Sequence, residues 1–176
     1  QKFFFSDPVY EELSLLFVKT DSPIKFETDQ EIVGRTLCRP AGYFSFDLDQ
    51  NGRNWLKDKK ITLLQPQTIE ECFKLLMDGS ADAVAVTELT GRAAVIKADL
   101  SDKVRVIERP VGILADHVII AKTHPNARVL LHYVNAALAK LKAEGKFDEI
   151  VEKHLTLFWE SQTNDKPAAP AATAPS

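Results

Sequence analysis

Apolar residues recur along the chain in short runs, and most of these runs have the length and composition of a β-strand. They occupy residues 13–18, 35–38, 61–64, 82–86, 104–107 and 118–121. Proline and glycine end the second run at Arg39-Pro40-Ala41-Gly42, and Pro66 follows the third. The pattern therefore predicts several short strands separated by turns.

Four segments repeat their apolar residues with the period of a helix. Residues 68–78 have the clearest start, because Thr68 can cap the helix and Glu71 completes a capping box, while Gly79 marks its end. The other helices are predicted at residues 88–97, 126–144 and 147–154. The third has an apolar stripe made of Leu130, Tyr133, Ala137, Leu138 and Leu141. Strands that alternate with helices predict an α/β fold with a mostly parallel sheet.

The 176 residues have the composition of an ordinary globular protein, with 45% hydrophobic and 27% charged residues. No apolar run is long enough to cross a bilayer. The net charge of −3 gives no general attraction to nucleic acid, so we expect no nucleic-acid partner. Residues 164–176 are mostly Pro, Ala, Ser and Thr, and we predict a disordered tail over residues 161–176.

Two strand ends carry residues suited to ligand binding, since ligands of open α/β sheets bind beyond the carboxyl ends of the strands. At the first, Gly42 permits a close backbone approach, a helix start would offer N–H groups to an anion, and Arg39 could bind that anion bidentately. At the second, Thr87 and Glu88 bring a hydroxyl and a carboxylate to the sheet edge, suited to an ammonium group or to general base catalysis. The pattern alone favours a surface turn with a solvated Arg39, and a Glu88 that only stabilises the next helix.

The remaining polar residues form no catalytic or metal-binding constellation. The four histidines lack metal-ligand spacing, and no phosphate loop, dinucleotide fingerprint or nucleophile elbow is present. We therefore expect no metal and no cofactor. Cys38 and Cys72 are either a disulfide pair or two buried thiols, depending on the compartment.

Four segments carry family motifs in the right order. QKFFFSDPVY resembles an FS-x-P-Y segment, and IVGRTLCRPAGYFSFDL resembles a G-K-x-V-G-V-x-x-G-T loop. TIEECFKLLMDGSADAVAVTEL is similar to AL-x-x-G-x-x-DAV-x-x-D, and residues 117–154 contain a K-x-x-P turn, a long helix and a final G-x-F-x-x-I-x-x-K helix. Together, residues 1–154 resemble the bacterial extracellular solute-binding proteins of family three, which bind polar amino acids for ABC importers.

The resemblance implies the type II periplasmic-binding fold, in which two α/β lobes joined by two hinge strands close over the ligand. It assigns residues 1–18 to the end of lobe 1 and the outgoing hinge, 19–111 to lobe 2, and 112–160 to the returning hinge and the C-terminal helices of lobe 1. The first strands and helices of lobe 1 have no counterpart in this sequence, so the resemblance implies a truncated member with one complete second lobe. An incomplete first lobe predicts a homodimer or an exchange of elements between chains.

The resemblance also implies a set of ligand contacts. They are Tyr10, Arg39, Pro40, Gly42, Tyr43, Phe44, Thr87 and Glu88. Gly42 keeps the family glycine, but Tyr43 and Phe44 stand at the threonine positions, which suits an apolar or ring-bearing ligand unless both belong to the core. Thr87 stands where the family has an aspartate, so Glu88 is expected to supply the carboxylate. An extracytoplasmic setting favours a disulfide between Cys38 and Cys72.

The expected function is the capture of a polar amino acid or a similar small ligand in the periplasm or elsewhere outside the cytoplasm. An ABC permease would receive the ligand, and no enzyme activity is expected. The signal peptide that this location requires is not in the sequence. One alternative is a ligand-sensing extracytoplasmic domain of a signalling or cell-wall protein. Another is an enzyme resembling cyclohexadienyl dehydratase, with Glu88 as its acid or base.

Overall fold

The computed structural model describes residues 2–164, so most of the predicted Pro/Ala tail lies outside the described residues. The strands are β1 (Phe3–Phe5), β2 (Tyr10–Lys19), β3 (Thr36–Cys38), β4 (Thr62–Leu64), β5 (Ala83–Thr87), β6 (Val104–Asp116) and β7 (Ile119–Ala121). The helices are α1 (Ile69–Asp78), α2 (Glu88–Lys97), α3 (Ala127–Ala143) and α4 (Lys146–Asn164). The predicted alternation of strands and helices is confirmed.

The main sheet has five strands in the order β4-β3-β5-β2-β6. β3 is parallel to β4 and β5, whereas β2 is antiparallel to β5 and β6. The prediction of a mostly parallel sheet is therefore wrong. The parallel part is confined to β3, β4 and β5, which follow one another along the chain with α1 as the crossover between β4 and β5. β2 comes before this unit and enters the sheet beside β5 in the opposite direction.

The centre of β2 explains why the chain has a continuous apolar run there. Leu15, Leu16, Phe17 and Val18 are each at most 2% exposed. Because successive side chains of a strand point to opposite faces, Leu15 and Phe17 pack on the α1 side, whereas Leu16 and Val18 pack on the side of Trp55. The main sheet is thus covered by a hydrophobic cluster on each face.

Helix α1 forms as its sequence predicts. The Thr68 hydroxyl accepts a hydrogen bond from the Glu71 backbone at 3.2 Å, and the Glu71 carboxylate accepts one from the Thr68 backbone at 3.3 Å. Gly79 ends the helix with a left-handed φ of 84°. Phe73 and Leu76 are buried against the sheet, where each contributes about 1.5–3 kcal/mol.

Two elements are longer than predicted. β6 is one 13-residue strand, and a bulge around residues 108–111 interrupts its pairing with β2. Pro110 is tolerated there because a bulge does not need its missing N–H. α4 continues to Asn164, so the predicted helix end at residue 154 and the predicted tail start at residue 161 are both wrong. Leu155 and Trp159 extend the apolar side of α4 beside Arg92 of α2.

A second, two-stranded sheet pairs β1 with β7 and contacts α3. The predicted stripe of α3 is largely uncovered, with Leu130 41% and Tyr133 66% exposed. Other apolar residues exposed around it are Phe3, Phe5, Val118, Ile119 and Val129. The described residues therefore include an exposed apolar face, formed by α3 and the two-stranded sheet.

Candidate functional site

A cavity of about 470 Å³ lies at the carboxyl ends of β3 and β5. The segment after β3 supplies Arg39, Gly42, Tyr43, Phe44 and Phe46, while β5 and α2 supply Val86, Thr87 and Thr90. β2 adds Glu12 and Ser14, and β6 adds Leu114, Ala115 and Asp116. The cavity therefore occupies the position at which open α/β sheets bind ligands.

Arg39 holds the inner wall of this cavity together. Its guanidinium donates to both carboxylate oxygens of Asp47, at 2.5 and 2.9 Å. It also donates to the Ala85 carbonyl at 2.6 Å, to the Ser14 hydroxyl at 3.1 Å and to the Phe44 carbonyl. Because Arg39 is 2% exposed and every guanidinium nitrogen has a protein acceptor, we assign it a structural role and do not carry its predicted anion contact forward.

A disulfide anchors the strand end next to Arg39. Cys38, the last residue of β3, is bonded to Cys72 of α1, and their Cα atoms are 5.5 Å apart. The disulfide fastens the start of the cavity loop to the helix that covers the sheet. The loop consequently leaves β3 from a fixed point.

The loop after Arg39 presents aromatic rings to the cavity. Gly42 has a φ of 85°, which few other residues adopt, and it lies in a turn in which the Tyr43 N–H donates to the Pro40 carbonyl at 3.3 Å. Tyr43, Phe44 and Phe46 are 42%, 73% and 50% exposed, so they do not belong to the core. The helix expected after this turn is only the 3₁₀ turn Phe46–Leu48, which is too short to form an anion site.

Hydroxyls and carboxylates complete the cavity. The Thr87 hydroxyl donates to the Thr90 hydroxyl at 3.0 Å. Glu12 is paired with Leu114 across β2 and β6, and Asp116 is two residues further, so the two acidic residues share one face of the sheet. Burial and the charge of Asp116 raise the pKa of Glu12, although a hydrogen bond with Thr87 acts in the opposite direction.

Solved structures with this architecture include several proteins that bind amino acids. A mutant of ArgBP from T. maritima is 24% identical, with a TM-score of 0.63, and the match covers 88% of this chain and 62% of that one. AbpA from Streptococcus pneumoniae, an amino-acid ABC transporter substrate-binding protein bound to L-arginine, is 19% identical, with a TM-score of 0.63 and coverages of 89% and 62%. The GluR0 ligand-binding core from Nostoc punctiforme, in complex with L-glutamate, is 22% identical, with a TM-score of 0.60 and coverages of 87% and 65%.

This chain has the fold of amino-acid-binding proteins. It spans 62–65% of the length of the three solved chains. No protein-family model matches the sequence, and no curated protein sequence does. Among residues 2–164, no helix combines the length and apolar character of a membrane span, and no group of three or more metal-ligating side chains occurs.

The fold brings five of the eight predicted contacts to one cavity: Arg39, Gly42, Tyr43, Phe44 and Thr87. Pro40 is buried behind the turn and does not line it.

Tyr10 and Glu88 line a neighbouring cavity, also of about 470 Å³, which shares Glu12 with the first. Glu88 forms an ion pair with Arg92 at 2.8 Å, so its carboxylate already has a cationic partner. Burial raises the pKa of Tyr10, with further contributions from Glu12, Glu88 and Asp116. Ligand contacts by Tyr10 and Glu88 stay predictions.

Sequence reasoning missed Glu12, Ser14, Phe46 and Asp116. Alternation along β2 places Glu12 and Ser14 on the same face as Tyr10, and this signal was available in the sequence. Asp116 lies nine residues beyond the predicted strand end at residue 107, in the part of β6 that follows the bulge. Nothing in the local sequence indicates that pairing resumes after Pro110.

Proposed function

We propose that this chain binds an amino acid or a similar small ligand outside the cytoplasm, as a solute-binding protein that delivers the ligand to an ABC permease. The observation that carries the proposal is the cavity at the ends of β3 and β5, which combines exposed aromatic rings, hydroxyls and carboxylates. The arginine-bound and glutamate-bound structures of the same fold support an amino-acid ligand. The disulfide supports an oxidising location outside the cytoplasm.

The proposed division of the chain is the one that the family resemblance implies, and the presence of two separate sheets supports a division into two lobes. β2 and β6 would be the hinge strands, with residues 19–111 forming lobe 2, and with residues 1–18 and 112–160 contributing the hinge and part of lobe 1. β2 and β6 both line the cavity, through Glu12 and Asp116. Ligand binding in this cavity would therefore act directly on the connection between the lobes.

The proposal is tested by thermal unfolding of the purified chain with a panel of amino acids at millimolar concentration. A ligand present at about a thousand times its Kd adds about 4 kcal/mol, which corresponds to a rise in Tm of about 8–16 °C. Phe44→Ala removes a ring from the cavity, and Phe5→Ala removes a ring of β1 outside it. We expect the first variant to lose the ligand-induced rise and the second to keep it.

Two outcomes contradict the proposal. A cooperative melt that no amino acid or small carboxylate shifts would mean that the cavity does not bind this class of ligand. An equal loss of the ligand-induced rise in Phe44→Ala and Phe5→Ala would place the ligand elsewhere.

Ligand sensing is the second candidate function, and the likeness to the GluR0 ligand-binding core favours it. Sensing and import share the cavity but differ in their consequence for the cell. If deletion of the gene prevents growth on the bound amino acid as nitrogen source, import is supported. Normal growth with a lost transcriptional or motility response supports sensing. The enzyme alternative is not pursued, because its candidate acid, Glu88, is paired with Arg92.

A homodimer or an exchange of elements between chains is proposed from the exposed apolar face around α3. Phe5, Ile119 and Tyr133 are 48%, 56% and 66% exposed there, and uncovered apolar surface of this kind promotes association. Size-exclusion chromatography with light scattering should give twice the chain mass. A monomer at all concentrations tested would contradict this proposal without affecting the proposed ligand site.

A further inference from the structure

The charges that line the cavity do not cancel. Its charged side chains are Glu12, Arg39 and Asp116. The positive charge of Arg39 is balanced by Asp47, which is fully buried and accepts two hydrogen bonds from the guanidinium. The carboxylates of Glu12 and Asp116 therefore give the cavity a net negative charge.

Neither carboxylate is balanced by a basic side chain. Within the described part of the chain, no ion pair includes Glu12 or Asp116. Tyr10, which is paired with Asp116 across the sheet, also has a raised pKa, owing to burial and to Glu12, Glu88 and Asp116. An excess of negative charge is thus present at this end of β2 and β6.

The aromatic part of the cavity lining is suited to the same kind of ligand. Tyr43, Phe44 and Phe46 expose their rings there, and the ring centres of Phe44 and Phe46 are 5.9 Å apart. The face of an aromatic ring attracts an ammonium or guanidinium group and repels a carboxylate. The aromatic wall and the carboxylates are two independent observations, and both favour a cation.

On the basis of the proposed function, we infer that the ligand of this cavity has a net positive charge. It carries a guanidinium or a second ammonium group, which binds between the Glu12 and Asp116 carboxylates and the rings of Tyr43 and Phe44. The α-ammonium common to all amino acids supplies one positive charge, whereas the cavity offers two carboxylates. A basic amino acid or a related diamine supplies a positive charge for each carboxylate.

Isothermal titration calorimetry with L-arginine and L-citrulline tests this inference, because citrulline has nearly the same shape as arginine without the guanidinium charge. L-Lysine, L-glutamine and L-glutamate complete the panel. We expect arginine or lysine to bind about 10- to 100-fold more tightly than its neutral counterpart, the loss that follows when a charged hydrogen-bonded group is removed. Glu12→Gln and Asp116→Asn should each reduce binding of the basic ligand by a similar factor.

Glu27→Gln is the matched control, because Glu27 is exposed and lines neither this cavity nor the neighbouring one. It should leave all affinities unchanged. If citrulline, glutamine or glutamate binds as tightly as its basic counterpart, the inference fails and the proposed function stands. Glu12→Gln and Asp116→Asn variants that fold and retain full affinity for arginine also overturn the inference. If nothing in the panel binds the wild-type chain, the inference fails. The proposed function fails with it only if no other amino acid or small carboxylate shifts the thermal unfolding either.

Discussion

Breaking the buried pair between Arg39 and Asp47 should destabilise the chain severely. Asp47→Asn keeps the shape of the side chain but removes the charge that balances Arg39. Arg39 and Asp47 are 2% and 0% exposed, so water cannot replace the lost interaction. Removing one partner of a buried ion pair costs about 3–5 kcal/mol, because the remaining charge stays buried and uncompensated.

The cost can be measured by thermal and urea unfolding. For a chain of this size, 1 kcal/mol corresponds to about 2–4 °C, so the Tm of Asp47→Asn should fall by about 6–20 °C. The matched control is Glu70→Gln, which breaks the pair with Lys97. That pair has a similar distance of 3.0 Å, but its side chains are 42% and 71% exposed. The control should lose at most about 1 kcal/mol.

A double variant tests whether the uncompensated charge causes the loss of stability. Replacing both partners, with Arg39→Met and Asp47→Leu, removes the uncompensated charge and should recover part of the stability lost in Asp47→Asn. Recovery stays incomplete, because the Ala85 carbonyl loses its hydrogen-bond donor. A loss below about 1 kcal/mol in Asp47→Asn, equal to that of the control, would show that the pair is solvated and refute the reasoning.

Three further predictions concern single features of the fold. Reducing the Cys38–Cys72 disulfide, which closes a sequence separation of 34 residues, should lower the free energy of unfolding in urea by about 2–4 kcal/mol, whereas a variant with serine at both positions should not respond to reductant. Gly91→Ala should lower the Tm although alanine favours helices, because its Cβ would lie 2.1 Å from the Phe17 ring, and an unchanged or higher Tm would show that the ring moves aside. The raised pKa of Glu12 means that the unfolded chain loses this proton first, so the stability contributed by the group falls as pH rises from the ordinary glutamate pKa through the raised one. Glu12→Gln should therefore raise the Tm near neutral pH but not in acid, and an equal gain at both pH values would contradict the assignment.

Local signals in the sequence predicted most of the elements. The capping box at Thr68 and the glycine at position 79 mark α1, and the first and last residues of α2 agree with the prediction. The features that failed depend on distant contacts. β2 lies between β5 and β6, which are distant in the sequence, and its direction depends on pairing with them. The last residues of α4 extend a helix that packs against α2.

The sequence predicted where the candidate site lies, but not all of the residues that line it. Strand ends after Cys38 and Thr87 pointed to the cavity, because each run of apolar residues stops at a polar or turn-forming residue. The sequence alone does not show that Glu12 and Asp116 lie near each other. Their proximity depends on the register between β2 and β6 beyond the bulge. A shift of that register by one residue would turn Asp116 to the opposite face.

The charge of the cavity lining is the property for which the local sequence and the structure differ most. Read along the chain, Arg39 followed by Gly42 indicates an anion site, because the nearest positive charge dominates the local pattern. Folding brings Asp47, eight residues away, against the same guanidinium and excludes water from the pair. The local positive charge is thereby cancelled, and the carboxylates contributed by β2 and β6 give the cavity lining its net charge. Arg39, the residue that first suggests a ligand, thus maintains the shape of the site. Glu12 and Asp116, which lie outside the predicted motifs, set its charge.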